Sequence, residues 1–180
     1  MSLIGFSGAA NAQQQVTDTN ASSDKKILVA YFSCTGTTEK VADAIAKATG
    51  GKLYRITPAK AYTSADLDWN NKKSRSSVEM TTENSRPELG GESVALKDYD
   101  VIFVGYPIWW DLCPRPVNTF FEKYDFSGKT VIPFATSGGS SITGSVKQLK
   151  KLYPKIVWKE GRLLNGGVKQ AGEWAKQASK

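Results

Sequence analysis

One run of six residues combines hydroxyl side chains with a single glycine: Ser33, Cys34, Thr35, Gly36, Thr37 and Thr38. An apolar segment precedes it and a segment with helical periodicity follows, which predicts a turn between a strand and a helix. Backbone N–H groups at such a turn face the positive end of the helix dipole and favour a phosphate. The run lacks the lysine of a nucleoside triphosphate loop and the spaced glycines of a dinucleotide loop. It therefore predicts a site for one monophosphate; a turn that only caps the helix is the alternative.

Two further segments have the composition to contact a planar ring. The second loop consists of Pro107, Ile108, Trp109, Trp110 and Asp111, and the third loop of Thr136, Ser137, Gly138 and Gly139. Two adjacent indoles after a buried strand cannot both point inward from one turn, so we expect one to stack on a planar heterocycle. The alternative is that one indole caps the core and the other forms an oligomer contact. The glycines of the third loop allow the backbone to approach a ring edge, or they form a simple strand-to-helix turn.

The composition excludes several kinds of chemistry. The chain has no histidine and two cysteines, Cys34 and Cys113, which excludes Ser-His-Asp, Cys-His and two-histidine metal mechanisms and a closed zinc site. Redox chemistry would come from a bound cofactor or from the thiols, and we expect no metal and no catalytic side chain. A helix N-terminus can lower the pKa of a thiol. We nevertheless interpret Cys34 as a packing residue, because no second cysteine lies near it in sequence.

Apolar runs and helical periodicity alternate along the chain. Strands are predicted at 26–33, 52–56, 100–106, 129–135 and 156–158 with Leu163, and helices at 39–49, 114–121, 142–152 and 168–179. A further helix is predicted at 66–82, with Leu67, Trp69 and Val78 partly buried, followed by a loop at 83–93. This alternation predicts an α/β fold, a doubly wound five-stranded parallel sheet of order 2-1-3-4-5 between two helix layers. That order brings the three loops together at the carboxyl ends of strands 1 and 3.

Over residues 26–180 the chain resembles the short-chain flavodoxins. The resemblance lies in the pattern Ser33-x-Thr35-Gly36-x-Thr38 after an Ile-Leu-Val-Ala-Tyr-Phe strand, and in the second and third loops. It implies a flavodoxin-like sandwich with noncovalent FMN, whose phosphate would lie on the first loop and whose ring would lie between the second and third loops. It also implies electron transfer, with redox proteins or quinone-like molecules as partners.

Two features depart from the flavodoxin pattern. Flavodoxins that carry electrons are acidic, whereas this chain has a formal net charge of +7. Their third loop usually supplies a second aromatic ring, and 136–140 has none, which would leave one flavin face open, as in flavodoxin-like reductases. An NAD(P)H-dependent quinone or flavin reductase is therefore the alternative to a carrier, and a flavin-free binding module is the third hypothesis. In the family a backbone carbonyl can turn to accept a hydrogen bond from the reduced flavin, and Gly138 or Gly139 is the candidate here.

The charge and the N-terminus give weaker indications. Residues 142–180 hold nine lysines and arginines against two glutamates, which we interpret as solvated helix faces, and we expect no nucleic-acid partner. We separate a tail, 1–23, from a single domain, 24–180, and find no run apolar enough for a transmembrane helix. Leu3 to Ala12 ends in a small-residue pattern that favours a signal-peptide remnant over a disordered tail. If 1–12 is such a remnant we expect an exported protein, and otherwise a cytoplasmic one.

Overall fold

The computed structural model describes residues 24–165 and 167–180. The predicted signal-peptide remnant and the rest of the predicted tail, 1–23, lie outside these residues. The strands are β1 (Ile27–Tyr31), β2 (Lys52–Arg55), β3 (Thr57–Pro58), β4 (Leu89–Gly90), β5 (Val101–Pro107), β6 (Thr130–Thr136), β7 (Val157–Trp158) and β8 (Arg162–Leu163). The α-helices are α1 (Thr37–Thr49), α2 (Arg75–Thr81), α3 (Arg115–Lys123), α4 (Thr143–Leu152) and α5 (Val168–Ala178). None of these helices is both long and apolar enough to cross a bilayer.

The main sheet is parallel and has the order β2-β1-β5-β6-β7, with β8 also paired to β6. The predicted order is therefore confirmed. One apolar layer joins the sheet to α3 and α4 through residues such as Phe32 and Phe120. A second layer joins the other face to α1 and α5 through residues such as Ile45 and Ala171. The sheet lies between two helix layers, as a doubly wound fold requires.

The predicted fifth strand is divided into two short strands. β7 pairs with Thr130 and Val131, whereas β8 pairs with Phe134 and Ala135. The carbonyls of Val131 and Ala135 both accept hydrogen bonds from this edge segment, so Pro133, midway between them, faces the same side. Because proline has no N–H to donate there, the ladder is interrupted between β7 and β8.

The region between β2 and β5 differs most from its prediction. The helix predicted at 66–82 is wrong in extent, because only Arg75–Thr81 is helical and residues before it form turns. Side chains of aspartate and asparagine compete with helical hydrogen bonds here: Asp68 accepts from the N–H of Asn70, and Asn71 accepts from that of Lys73. The predicted loop at 83–93 contains β4, which pairs antiparallel with β3.

Candidate functional site

A cleft of about 560 Å³ lies at the carboxyl ends of β1 and β5, where the fold predicts a ligand. It is formed by the first loop, the second loop and the segment that precedes α2. None of its lining side chains carries a charge; they belong to Ser33, Cys34, Thr35, Thr37, Thr38, Leu67, Trp69, Ser76, Pro107, Ile108, Trp109 and Trp110. A cleft of this size and composition suits a small molecule that is mostly apolar, with a few polar contacts.

The first loop leaves the N-terminus of α1 free to bind an anion. Gly36 is the N-terminal cap and has a φ of +88°, in the left-handed region that favours glycine. Because glycine has no side chain, Gly36 forms no side-chain hydrogen bond to the first turn of α1, and N–H groups at the start of the helix remain available. The hydroxyl of Ser33 closes the loop by accepting from the N–H of Gly36 at 3.1 Å. This arrangement fits a phosphate group, because N–H donors and the helix dipole converge on one point.

The three threonines of the first loop divide into two roles. The hydroxyls of Thr35 and Thr37 are exposed and lie 3.4 Å apart, within reach of one bound anion. Thr38 is buried, and its Oγ1 forms a 2.8 Å hydrogen bond with Oγ1 of Thr136. Thr38 therefore ties the first loop to the end of β6, although it also contributes to the cleft wall.

A cation contacts the first loop from outside the cleft lining, and the sequence did not reveal it. Nη2 of Arg55, the last residue of β2, donates to the carbonyl of Ser33 at 3.1 Å. The other terminal nitrogen lies 3.6 Å from the carboxylate of Glu39, which also accepts from the hydroxyl of Tyr31 at 2.9 Å. Burial, with the hydrogen bond to Glu39, raises the pKa of Tyr31 to about 12, so this hydroxyl stays protonated at neutral pH. Parallel pairing of β1 with β2 makes the contact between Arg55 and the loop possible.

The two adjacent tryptophans have different environments. Trp109 is half-buried, and its ring meets the rings of Phe32 and Tyr62 edge to face at centroid distances of 5.6 Å. Trp110 is 45% exposed and has a φ of +47°, while the exposed Asp111 has a φ of +61°. These two residues form the tip of a tight turn closed by reciprocal backbone hydrogen bonds between Trp109 and Leu112. Trp109 therefore caps the core, and Trp110 is the indole free to stack on a ligand, held by strained backbone.

The third loop does not line this cleft. Of its residues, Ser137 borders a separate depression of about 430 Å³, together with Lys40 and Asn165; Thr37 borders both. The hydroxyl of Ser137 accepts from the N–H groups of Gly139 and Ser140. These N–H groups share peptide planes with the carbonyls of Gly138 and Gly139. Turning either carbonyl over would therefore break one of these hydrogen bonds.

The segment 59–74 contributes two cleft residues that the sequence did not predict for the site. Leu67 and Trp69 line the cleft, and Ser76 of α2 lies beside them. Trp69 lies on a turn and is 71% exposed, so the prediction that it is partly buried on a helix is wrong, whereas Val78 lies on α2 and is 49% exposed. A tryptophan in a stretch otherwise rich in Asp, Asn and Lys was the signal that could have marked the site, because such a stretch has little apolar surface to cover it.

Both cysteines are packing residues. Cys34 lines the cleft and packs against the apolar layer beneath it, and burial raises the pKa of its thiol to about 11. The buried thiol is therefore neutral at physiological pH. Cys113 is fully buried, and burial raises the pKa of its thiol to about 12.

A parallel sheet of this order, with an uncapped helix N-terminus and an exposed indole at one cleft, defines a flavodoxin-like fold. The family model for flavodoxin matches residues 26–178, and the chain belongs to the flavodoxin family.

Solved structures agree with this assignment. A candidate flavoprotein from Bacteroides eggerthii DSM 20697 is 57% identical, with a TM-score of 0.82 over 87% of this chain and 99% of its own. A candidate flavoprotein from Bacteroides uniformis ATCC 8492 is 56% identical, with a TM-score of 0.82 over 84% of this chain and 98% of its own. A flavoprotein in complex with FMN from Lactobacillus acidophilus NCFM is 20% identical, with a TM-score of 0.70 over 87% of this chain and 99% of its own. No curated protein matches the chain.

Proposed function

We propose that this protein binds FMN noncovalently and transfers electrons through it to a partner protein. The observation that carries the proposal is the uncapped N-terminus of α1, with the hydroxyls of Thr35 and Thr37, in the same cleft as the free indole of Trp110. A phosphate site and an aromatic surface within one uncharged cleft match the two ends of a flavin mononucleotide. The FMN in the related Lactobacillus structure supports this choice of ligand.

The first loop would hold the phosphate. Its free N–H groups and the two exposed hydroxyls donate hydrogen bonds, and Gly36 provides the backbone conformation that directs them. Arg55 places a positive charge beside the loop through its bond to the Ser33 carbonyl. That charge favours a dianion near the loop, while the bond to Ser33 restrains the loop itself.

The second loop would hold the ring. Trp110 offers an indole for stacking, and the rigid turn from Trp109 to Leu112 sets its position. The bound flavin supplies the redox chemistry, whereas the chain supplies binding, orientation and electrostatics. Because the cleft lining carries no charge, it disfavours additional negative charge on the ring. The protein would thereby lower the reduction potential of any step that creates such a charge.

A comparison of two ligands tests the proposal. The purified protein is titrated with FMN and with riboflavin, which has the same ring and no phosphate, and quenching of flavin fluorescence is recorded. We expect FMN to bind at least about tenfold more tightly, since charge-assisted hydrogen bonds to the phosphate contribute over 1 kcal/mol. Equal affinities would contradict the phosphate site. A protein that quenches neither ligand would instead be a flavin-free binding module.

The aromatic-free third loop favours a second candidate function, a reductase that uses FMN to reduce quinones or free flavins. Oxidation of NADPH in the presence of a quinone separates the two candidates. A carrier oxidises no NADPH without its partner, whereas a reductase does so in steady state. Stepwise reduction followed by visible spectroscopy then shows whether electrons enter singly or in pairs.

A further inference from the structure

We infer that Trp69, on the turn segment 63–74, covers a face of the FMN ring and provides the second aromatic surface that the third loop lacks. The inference rests on the proposed function, because the ring must occupy the cleft. It assigns a ligand-binding role to the region between β2 and β5.

The position of Trp69 is the first observation. Its indole and that of Trp110 line the same cleft but come from different parts of the chain. Trp69 is the most exposed large apolar side chain among the described residues, at 71%, and it is not part of the edge-to-face ring pairs that Trp109 forms with Phe32 and Tyr62. The rest of the cleft wall near it is Leu67 and the buried Ser76. A largely exposed indole that borders a cleft gains contact area when a planar ligand enters.

The segment is held in one shape before any ligand binds. The carboxylate of Asp66 accepts from the N–H of Thr63 at 2.9 Å, and the hydroxyl of Thr63 accepts from the N–H of Asp66 at 3.1 Å. The carbonyl of Asp66 in turn accepts from the N–H of Ser76 at 2.9 Å. These bonds join the turn that carries Trp69 to the first turn of α2. The entropy cost of ordering a cover on binding is therefore reduced.

A second set of contacts anchors the segment to the second loop. Nε of Arg75 donates to the carboxylate of Glu79 at 2.7 Å, and this ion pair is mostly buried. The same guanidinium lies 3.9 Å above the ring of Tyr62, whose hydroxyl donates to Glu79. The Tyr62 ring packs on Trp109, next to Trp110. The walls that carry Trp69 and Trp110 are therefore connected through Tyr62, which sets their separation.

Three variants test the inference: Trp69→Ala, Trp69→Phe and, as a matched control, Val78→Ala. Val78 lies on α2, directly after this segment, is also exposed and does not line the cleft. Each variant is titrated with FMN, and the bound flavin is then exposed to iodide, a soluble fluorescence quencher. We expect Trp69→Ala to raise the Kd for FMN about tenfold, as loss of one aromatic stacking contact implies. We also expect it to increase access of iodide to the bound ring.

The remaining variants make the result specific. Trp69→Phe should restore most of the affinity and the protection, because it retains an aromatic face, and Val78→Ala should behave as the parent protein. The inference is overturned if Trp69→Ala matches Val78→Ala in affinity, or if iodide access does not change. A parent protein that fails to bind FMN overturns the proposed function and this inference together. The two failures are therefore distinguishable.

Discussion

The first loop and the segment 59–74 line the same cleft and are built in different ways. In the first loop the conformation depends on neighbours in sequence: Gly36 caps α1, and Ser33 bonds to it three residues away. In the segment 59–74 the conformation depends on contacts with other elements: the ring of Tyr62 packs on Phe32 and Trp109, and Arg75 of α2 donates to the carbonyl of Lys60. The comparison shows that one site combines two parts. The conformation of the candidate phosphate site depends on residues close in sequence, whereas the aromatic wall requires the assembled fold.

The largest expected effect comes from removing the anchor of the segment. Arg75→Met leaves the mostly buried carboxylate of Glu79 without its partner, and we expect a loss of about 3 kcal/mol in the free energy of unfolding. Urea denaturation measures this change in the free energy of unfolding. Lys47→Met is the matched control, because Lys47 and Asp43 form an ion pair with the same spacing on the exposed side of α1. That variant should lose less than about 0.5 kcal/mol.

The same pair of variants sharpens the comparison of the two regions. Arg75→Met should weaken binding of FMN and riboflavin alike, because it loosens the wall that contacts the ring common to both. The preference for FMN over riboflavin should be kept. A selective loss of FMN binding would show that the segment also acts on the phosphate.

The second effect concerns the reactivity of Cys34. Because burial raises its pKa to about 11, from about 9, the thiolate fraction at pH 8 should be about 100-fold lower than in a free thiol. Alkylation by iodoacetamide, followed by mass spectrometry, should therefore accelerate with pH up to about pH 11. The fully buried Cys113 serves as an internal reference and should stay unmodified in the folded protein. A rate that levels off below pH 8 would mean that the helix dipole outweighs desolvation.

The smallest expected effect on stability comes from a substitution in the first loop. Gly36→Ala places a Cβ at a φ of +88°, and we expect a loss of about 1–2 kcal/mol in the free energy of unfolding. The variant should also lose the preference for FMN over riboflavin, unlike Arg75→Met. Gly139→Ala is the control, because that glycine has no positive φ and open space around its Cβ position. If Gly36→Ala leaves both the stability and the preference for FMN unchanged, the phosphate site does not depend on the backbone conformation at Gly36.

Much of the fold could be predicted from runs of residue types. Strands buried on both faces appear as continuous apolar runs, as in β1 and β5, and the order of the sheet follows from their alternation with helices. The division of the fifth strand could not be predicted, because the missing N–H of Pro133 acts on a neighbouring strand rather than on its own.

For the candidate site, the sequence predicted which loops take part but not the role of each residue. The first and second loops follow buried strands directly, so the sheet brings them together once the strand order is known. The roles within them were not predictable: Thr38 bonds to Thr136, 98 residues away, and Trp109 packs inward while Trp110 stays free. Periodicity placed Trp69 on a helix, but polar side chains of the segment bond to the backbone around it, and the helix begins only at Arg75.

The amino-acid sequence alone determined the strand order, the turn between β1 and α1 and the absence of histidine chemistry, because each depends on residues adjacent in the chain or on composition. Only the tertiary structure decided that Arg55 contacts the first loop and that Trp69 faces the cleft. The contact of Arg55 depends on the pairing of β1 with β2, and the position of Trp69 depends on the packing of its segment, through Tyr62, against Trp109, so both involve residues distant in sequence.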